Sequence, residues 1–364
     1  MQLPRHRRDF RVAILCALPL EASAIIYSFD KLWDDRIFGK ASSDSNAYST
    51  GVIGDHNVVL VHVPGGGGKV AAATAATNLL TSFQEIQLAL VVGICGATPT
   101  EKQEGKNIFL GDVVISEGLL QYDFGRKFPK NRFVLKDATR TCSDRICGVL
   151  AKLKTEQGRS GLQDKTSEYI GTLKQKDVVR YPGATEDRLF KSTCSHKHQT
   201  PSECAICSNN DGGDDICDKA IRTSCQGLKC EPELRARPTQ SSNPGVHFGL
   251  VASGDTVMRS GEDRDGIAAR DGVIAFEMEG AGVWGKFNHS LVIKGVCDYA
   301  DSHKDKKWQG YAAATAAAAT KAFLENWNTG MHTHVTCSGG RVLNISDSQR
   351  HRTSSNTTTS RRQN

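Results

Sequence analysis

No apolar run in these 364 residues approaches the roughly 20 residues that cross a bilayer, so the sequence offers no candidate membrane helix. Aromatic residues make up only 7% of the chain and do not interleave with its basic clusters. No nucleic-acid-binding motif is present either, so the net charge of +6 argues for no polyanion partner. Much of that excess lies in the end segments "RHRR" and "SSNTTTSRRQN", where solvation accounts for it. There is no internal repeat. Hydrophobic residues at 38% and charged residues at 24% describe a soluble globular protein with a somewhat thin core. The length suits one large α/β domain or two ordinary ones, and 35 glycines imply many tight turns.

The start, "MQLPRHRRDFRVAILCALPLEASA", imitates a secretory signal with its basic head and apolar run. Asp9 in the basic part and Glu21 in the apolar part argue against that role. "RVAILCAL" instead reads as a buried parallel strand before the helix-like "PLEASAIIYSF". Twelve cysteines are too sparse in a chain this long for a small disulfide scaffold. Cys16, Cys95 and Cys297 lie in apolar runs, where cysteine behaves as a small buried hydrophobe. That usage favours a reducing, cytoplasmic setting.

Strand-like and helix-like runs alternate through "NVVLVHVPG", "GGGKVAAATAATNLLTSF", "IQLALVVGICGA" and "LGDVVISEGLLQYDF". The alternation resumes at "VHFGLVASGD", "GVIAFEMEG" and "SLVIKGVCDYAD", and closes with "QGYAAATAAAATKAFLENW". It predicts helices packed on a largely parallel sheet. From about Arg140 to Pro244 the pattern breaks. An amphipathic helix at "CSDRICGVLAKLKTEQ" is followed by a polar, cysteine-rich stretch, read as an insertion in a single domain over 1–330. Residues 331–364 are Ser/Thr/Arg-rich with little to bury, and a disordered tail is expected there.

One short stretch raises a chemical question. "AFEMEGAGVWGKF" places Glu277 and Glu279 around Met278 where a strand turns into a helix. A buried carboxylate is costly unless paired, and the plainest account is an acidic first helical turn. Nearby, "PGGGGK" suggests an anion cradle, but it lacks the spacing of a P-loop and the Ser/Thr after Lys69. A structural turn is the simpler reading.

Taken in order, "AILCALPLEASAI", "GGGGKVAAATAATNLL", "VVGICGATP", "LGDVVISEG", "SGDTVM", "FEMEGAGV" and "GVCDYADS" resemble the purine and uridine phosphorylase superfamily over about two-thirds of the chain. "GLLQYDFGRKFP" and "CDYADSHKDKKWQGYAAATAAAA" resemble its fungal branch, found at the N-terminus of larger immune-receptor-like proteins. The resemblance implies a three-layer αβα phosphorylase-like fold with a mixed, partly barrel-like central sheet. It also implies that Glu279 binds the ribose hydroxyls, that Met278 packs under the sugar and that Glu277 supports. Asp298 would face N7 of a purine, with Asp301 a loop neighbour. Val257, Met258 and Gly96 fall where the family meets base and sugar. Such groups suit N-glycosidic cleavage, in which an acid neutralises the leaving base and a carboxylate stabilises the oxocarbenium-like sugar.

The phosphorylase branch carries an arginine and a serine where this chain has Val91 and Ile94. Its first βα loop carries a phosphate-binding cation, where this chain has Glu21, the position of the nucleosidase branch's water-activating glutamate. A carboxylate repels phosphate and can deprotonate water, so hydrolysis is expected. The expected partner is a small-molecule purine nucleoside or nucleotide, with adenine the base and ATP or adenosine the examples. No nucleic acid, membrane or catalytic cofactor is expected, and a homo-oligomer is. For the 5′ group, the basic residues Arg126, Lys127, Arg259, Lys294, Lys304 and Lys306 favour a phosphorylated substrate. A phosphorylase and a catalytically silent ligand-binding or signalling module are the alternatives. Within the insertion, "CSHKHQTPSECAIC" offers Cys194, His196, His198, Cys204 and Cys207, with Cys217, Cys225 and Cys230 beyond. Cys204, Cys207, His196 and Cys194 are the expected ligands of one structural zinc, and free thiols are the alternative.

Overall fold

Side chains of the central strands alternate between two cores, and that alternation decides what reaches the interior. In Val12–Cys16 and in Leu88–Ala97, Val12, Ile14, Leu88, Leu90 and Val92 enter one apolar cluster. Ala13, Leu15, Ala89 and Val91 enter the other. Both faces of the sheet are therefore covered, as near-continuous apolar strands require. The structure is a computed structural model. It describes residues 3–101, 105–129, 132–136, 139–175, 179–198, 203–207, 216–232 and 243–328. The expected tail at 331–364 lies outside the described residues, as does part of the insertion.

The predicted first strand is present at Val12–Cys16, paired in parallel with His56–His62 on one side and Leu88–Ala97 on the other. Leu88–Ala97 also pairs in parallel with His289–Asp298, which runs antiparallel to Val113–Gln121. Val113–Gln121 pairs with Val246–Ser253, that strand with Val273–Glu277, and Val273–Glu277 returns antiparallel to Leu88–Ala97. Five strands thus close a mixed, barrel-like ring within a larger α/β sheet, as the fold expectation has it.

Helices cover both faces. Lys69–Ser82 buries Ala72, Ala75, Ala76 and Leu79 on one face, and Pro19–Ser28 buries Ala22, Ala24 and Ile25 on the other. The alanine-rich Gln309–Leu324 is buried almost all round. Small side chains let it lie against the His289–Asp298 strand, whose Gly295 would place a Cβ only 1.9 Å from the Ala312 carbonyl oxygen. Within 140–244, Asp144–Lys154 and Glu156–Gln175 are helices that send Ile146, Leu150, Leu153 and Leu162 into the core. A disulfide joins Cys142 to Cys147, a pairing the reading of the cysteines does not include.

A buried histidine fastens the Val246–Ser253 strand. His247 lies 3.3 Å from Glu101 Oε2 through Nδ1 and 3.0 Å from Asp112 Oδ2 through Nε2. Burial alone would push the imidazole down, but the Asp112 and Glu101 carboxylates outweigh it and raise it above its ordinary value. The stabilisation is complete below the ordinary histidine range and is lost as pH rises through the raised value. His247→Ala should lose about 3–5 kcal/mol at mildly acidic pH, because it takes the buried cation away from Glu101 and Asp112. The step in stability at the raised histidine value should disappear from the variant's pH profile. Urea unfolding at several pH values checks both, and a variant indistinguishable from the parent at acidic pH would show that the triad holds nothing.

Candidate active site

Strand alternation turns Lys294 inward. Ile293 joins the outer apolar cluster, so its neighbour faces the other way, into the ring, where Lys294 is 1% exposed. Its Nζ donates to Glu279 Oε2 at 2.8 Å and lies 3.7 Å from Glu277 Oε2. Burial would depress the ammonium, but Glu279, Glu21 and Glu277 outweigh it, and its pKa is raised. The lysine is charged, and three carboxylates share it.

Those carboxylates are not equivalent. Glu21 sits in the first turn of Pro19–Ser28 and reaches back, its Oε2 accepting the Ala17 and Leu18 amides at 2.9 and 2.8 Å. Its Oε1 accepts the Ile94 amide at 2.8 Å, which leaves one of a carboxylate's four acceptor positions. Burial pushes the Glu21 carboxyl above the usual range; Lys294 opposes this, Glu279 adds to it, and the Leu18 and Ile94 amides pull back. Glu277, the last residue of its strand, accepts the amides of Glu279 and Gly280 and so holds the turn into the short helix Gly280–Val283 from outside; it is not part of an acidic first turn. Burial raises Glu277 as well. Glu279 differs: burial would raise it, but the charge and hydrogen bond of Lys294 prevail and hold it low, with the Gly68 amide adding 3.3 Å contact to Oε1.

Asp298 ends the same strand as Lys294. Its Oδ1 accepts from the Ala300 amide at 2.8 Å and from Lys304 Nζ at 2.7 Å. Asp301 accepts the His303 amide, a turn contact as its reading as a loop neighbour has it. Each of Glu21, Glu279 and Asp298 occupies space that only a glycine leaves open. Cβ atoms at Gly93, Gly67 and Gly96 would lie 2.1, 2.4 and 2.7 Å from Glu21 Oε1, Glu279 Oε1 and Asp298 Oδ1.

A cavity of about 1040 Å³ opens over these groups. Glu21, Gly96, Glu277, Met278, Glu279, Asp298, Val257 and Met258 all line it, so one space unites residues spread over nearly the whole sequence. Three expected contacts do not reach it: Arg126, its exposed neighbour Lys127, and Lys294. Arg126 sits on an exposed hairpin opposite Val134, away from the cavity lining. Lys294 lies beneath Glu279 with its ammonium already engaged, so it supports the site and does not touch what fills it. Lys69 donates to both oxygens of Asp123 at 2.7 and 2.6 Å, while Gly66 of the same loop lines the cavity.

The zinc grouping is also corrected. Cys204 and Cys207 converge with His198 and Cys217, whereas His196 groups with Cys230 and His303. Cys194 Sγ lies 3.9 Å from His303 Nε2. Residues that sequence reading did not assign to the cavity also line it: Phe190, Arg222, Thr223 and Cys225 from the insertion, with Phe190 stacked on His303 at a ring-centroid distance of 3.7 Å. The only signal for them was the break in strand-helix alternation, which names no contact.

Residues 11–162 match the phosphorylase superfamily. A nucleotide-binding leucine-rich repeat (NLR)-like protein of Hyaloscypha variabilis is 30% identical over 329 residues, 87% of this chain and 29% of that protein. The chain therefore spans under a third of that relative's length. Among solved structures, the MTA/SAH nucleosidase of Streptococcus pneumoniae in complex with 8-aminoadenine is similar at 18% identity and a TM-score of 0.51, covering 87% of this chain and all of that one. Futalosine hydrolase of Helicobacter pylori is similar at 15% identity and a TM-score of 0.50, covering 88% and 99%. At these identities the likeness is one of fold.

The charge arrangement is open to test. Lys294→Met would leave three carboxylates facing one another without a cation, at a cost of about 3–5 kcal/mol at neutral pH. Without the lysine their folded-state pKa values rise, so the variant's stability falls as pH increases and recovers toward acid. Urea midpoints at about pH 5 and about pH 8 check the sign. A variant as stable as the parent at the higher pH would mean that Lys294 does not hold the carboxylates.

Proposed function

We propose that this chain, whose residues 11–162 match the phosphorylase superfamily, is an N-ribosyl hydrolase releasing adenine from a nucleoside or nucleotide. The observation that carries this reading is Glu21. It is a buried carboxylate at the cavity wall, pinned by three backbone amides, with one acceptor position left for water. A phosphate at that end would meet Glu21 where Val91 and Ile94 offer no charge to bind it. Water meets a base.

In this mechanism Glu21 takes a proton from water as its oxygen forms the bond to C1′ and the bond from C1′ to the base nitrogen breaks. Asp298 gives a proton to N7, so the base leaves neutral. Glu279, kept ionised by Lys294, accepts from the ribose 2′- and 3′-hydroxyls and faces the positive charge that develops on the sugar. The raised pKa of Glu21 suits a general base working near neutrality. Products are free base and free ribose or ribose phosphate.

The cavity volume favours the larger substrate, since about 1040 Å³ lies at the top of the range for small-molecule sites. Arg222, Arg259 and Lys306 line it, and Lys304 is already inside, paired with Asp298. A 5′-phosphate would offer Lys304 a second anion, and its departure would free the Asp298 oxygen that faces N7. Residues 1–330 would act as one cytoplasmic domain, with 140–244 supplying a wall of the cavity.

Turnover of adenosine, AMP and ATP, with and without phosphate, tests the reading through product analysis and kcat/KM. Phosphate-independent release of adenine is expected, and ribose 1-phosphate as the main product would overturn it. Glu21→Gln should abolish hydrolysis with binding retained, and Asp298→Asn should lose about two to four orders of magnitude in turnover. As pH falls through a value above the ordinary glutamate range, kcat/KM should fall with protonation of Glu21. Near-normal activity in both variants would assign the chemistry elsewhere.

A further inference from the structure

The cysteine-rich part of the insertion, 194–232, has almost no core of its own. Among its described residues only Cys207, Ala220 and Leu228 form a buried apolar cluster, with Cys204, Ile216, Cys217 and Cys230 against it. So small a cluster does not order a polar segment, and small units of this kind depend on staples. Yet this part supplies a cavity wall through Arg222, Thr223 and Cys225. Its histidines and cysteines show how.

We propose that the insertion is a two-zinc module whose second ion ties the cavity wall to the loop that follows Asp298. The first site is Cys204, Cys207, Cys217 and His198, whose donor atoms all lie within 4.8 Å of one another. His198 Nδ1 is 3.4 Å from Cys207 Sγ and 3.6 Å from Cys217 Sγ. Zinc at about 2.3 Å from sulfur and about 2.0–2.1 Å from nitrogen gives tetrahedral edges of roughly that length. Three cysteines and one histidine are a complete structural set.

The second site takes His196, Cys230 and His303, again mutually within 4.8 Å. His196 Nε2 lies 2.8 Å from the Thr223 carbonyl, which can only accept, so that nitrogen carries the proton and Nδ1 presents a bare lone pair. Two sulfurs, Cys225 and Cys230, stand 3.6 Å from that single lone pair. Two thiols cannot both donate well to one acceptor, whereas two thiolates and an imidazole can share one cation. Cys194, 3.9 Å from His303 Nε2, flanks the group, which gives five donors where four suffice. His303 comes from the catalytic half of the chain, and the His196 amide donates to Ser302 Oγ at 2.8 Å beside it. An ion here would fasten the insertion to the segment that carries Lys304.

The full chain, purified without chelator from zinc-supplemented cells, should hold about two zinc ions. X-ray absorption at the zinc edge should show a sulfur-rich shell at about 2.3 Å with nitrogen at about 2.0–2.1 Å. Cys204→Ser combined with Cys207→Ser should halve the zinc content, and so should Cys230→Ser combined with Cys225→Ser. Less than half an ion per folded chain, or an oxygen-dominated shell, would overturn the module. A single zinc that survives the Cys225/Cys230 change and is lost with Cys204/Cys207 would overturn the second site. The absorption measurement needs no variant, so misfolding of a mutant does not protect the proposal.

Discussion

A lysine ammonium with 1% of its surface exposed persists only in company, and the company Lys294 keeps organises the interior of the ring. One cation faces three carboxylates, and its proximity divides them. Glu279, in direct contact, is held ionised, while Glu21 and Glu277 are pushed toward the protonated form. Separating the pKa values of neighbouring acids is how a single fold assigns different tasks to chemically identical groups. Strand closure makes this possible. Lys294 and Glu277 lie on strands that both pair with Leu88–Ala97, whose Gly93 and Gly96 leave room for Glu21 and Asp298.

Part of this was legible in the sequence because it is local, and the cavity residues because the ordered motif blocks resemble a known family. The first buried strand, the alternation of elements and the carboxylates of "FEMEG" depend on neighbours in the chain. Glu21, Glu277, Glu279 and Asp298, with Met278, Val257, Met258 and Gly96, all come to one cavity. What sequence reading misplaced depends on direction and distance. Arg126 is basic and lies in a motif block, but its hairpin turns it to solvent. Lys294 reads as a substrate cation until strand alternation shows it facing inward, already paired.

The insertion shows the same limit in sharper form. Cys194, His196, Cys204 and Cys207 are close in sequence, and proximity suggested one metal set. The chain instead sorts alternate residues, His196 and His198, into different clusters. His303, more than a hundred residues downstream, completes one of them, and no spacing rule could have supplied it. Likewise, the pairing of Lys304 with Asp298 arises from a loop that folds back on its own strand end.

The central claim is that water, activated at Glu21, is the group that attacks the sugar. Reaction in ¹⁸O-labelled water with saturating phosphate present tests it most directly, read by mass spectrometry of the sugar product. The account predicts ribose or ribose 5-phosphate bearing one label, with no phosphorylation at C1′. Unlabelled sugar 1-phosphate as the dominant product would contradict it.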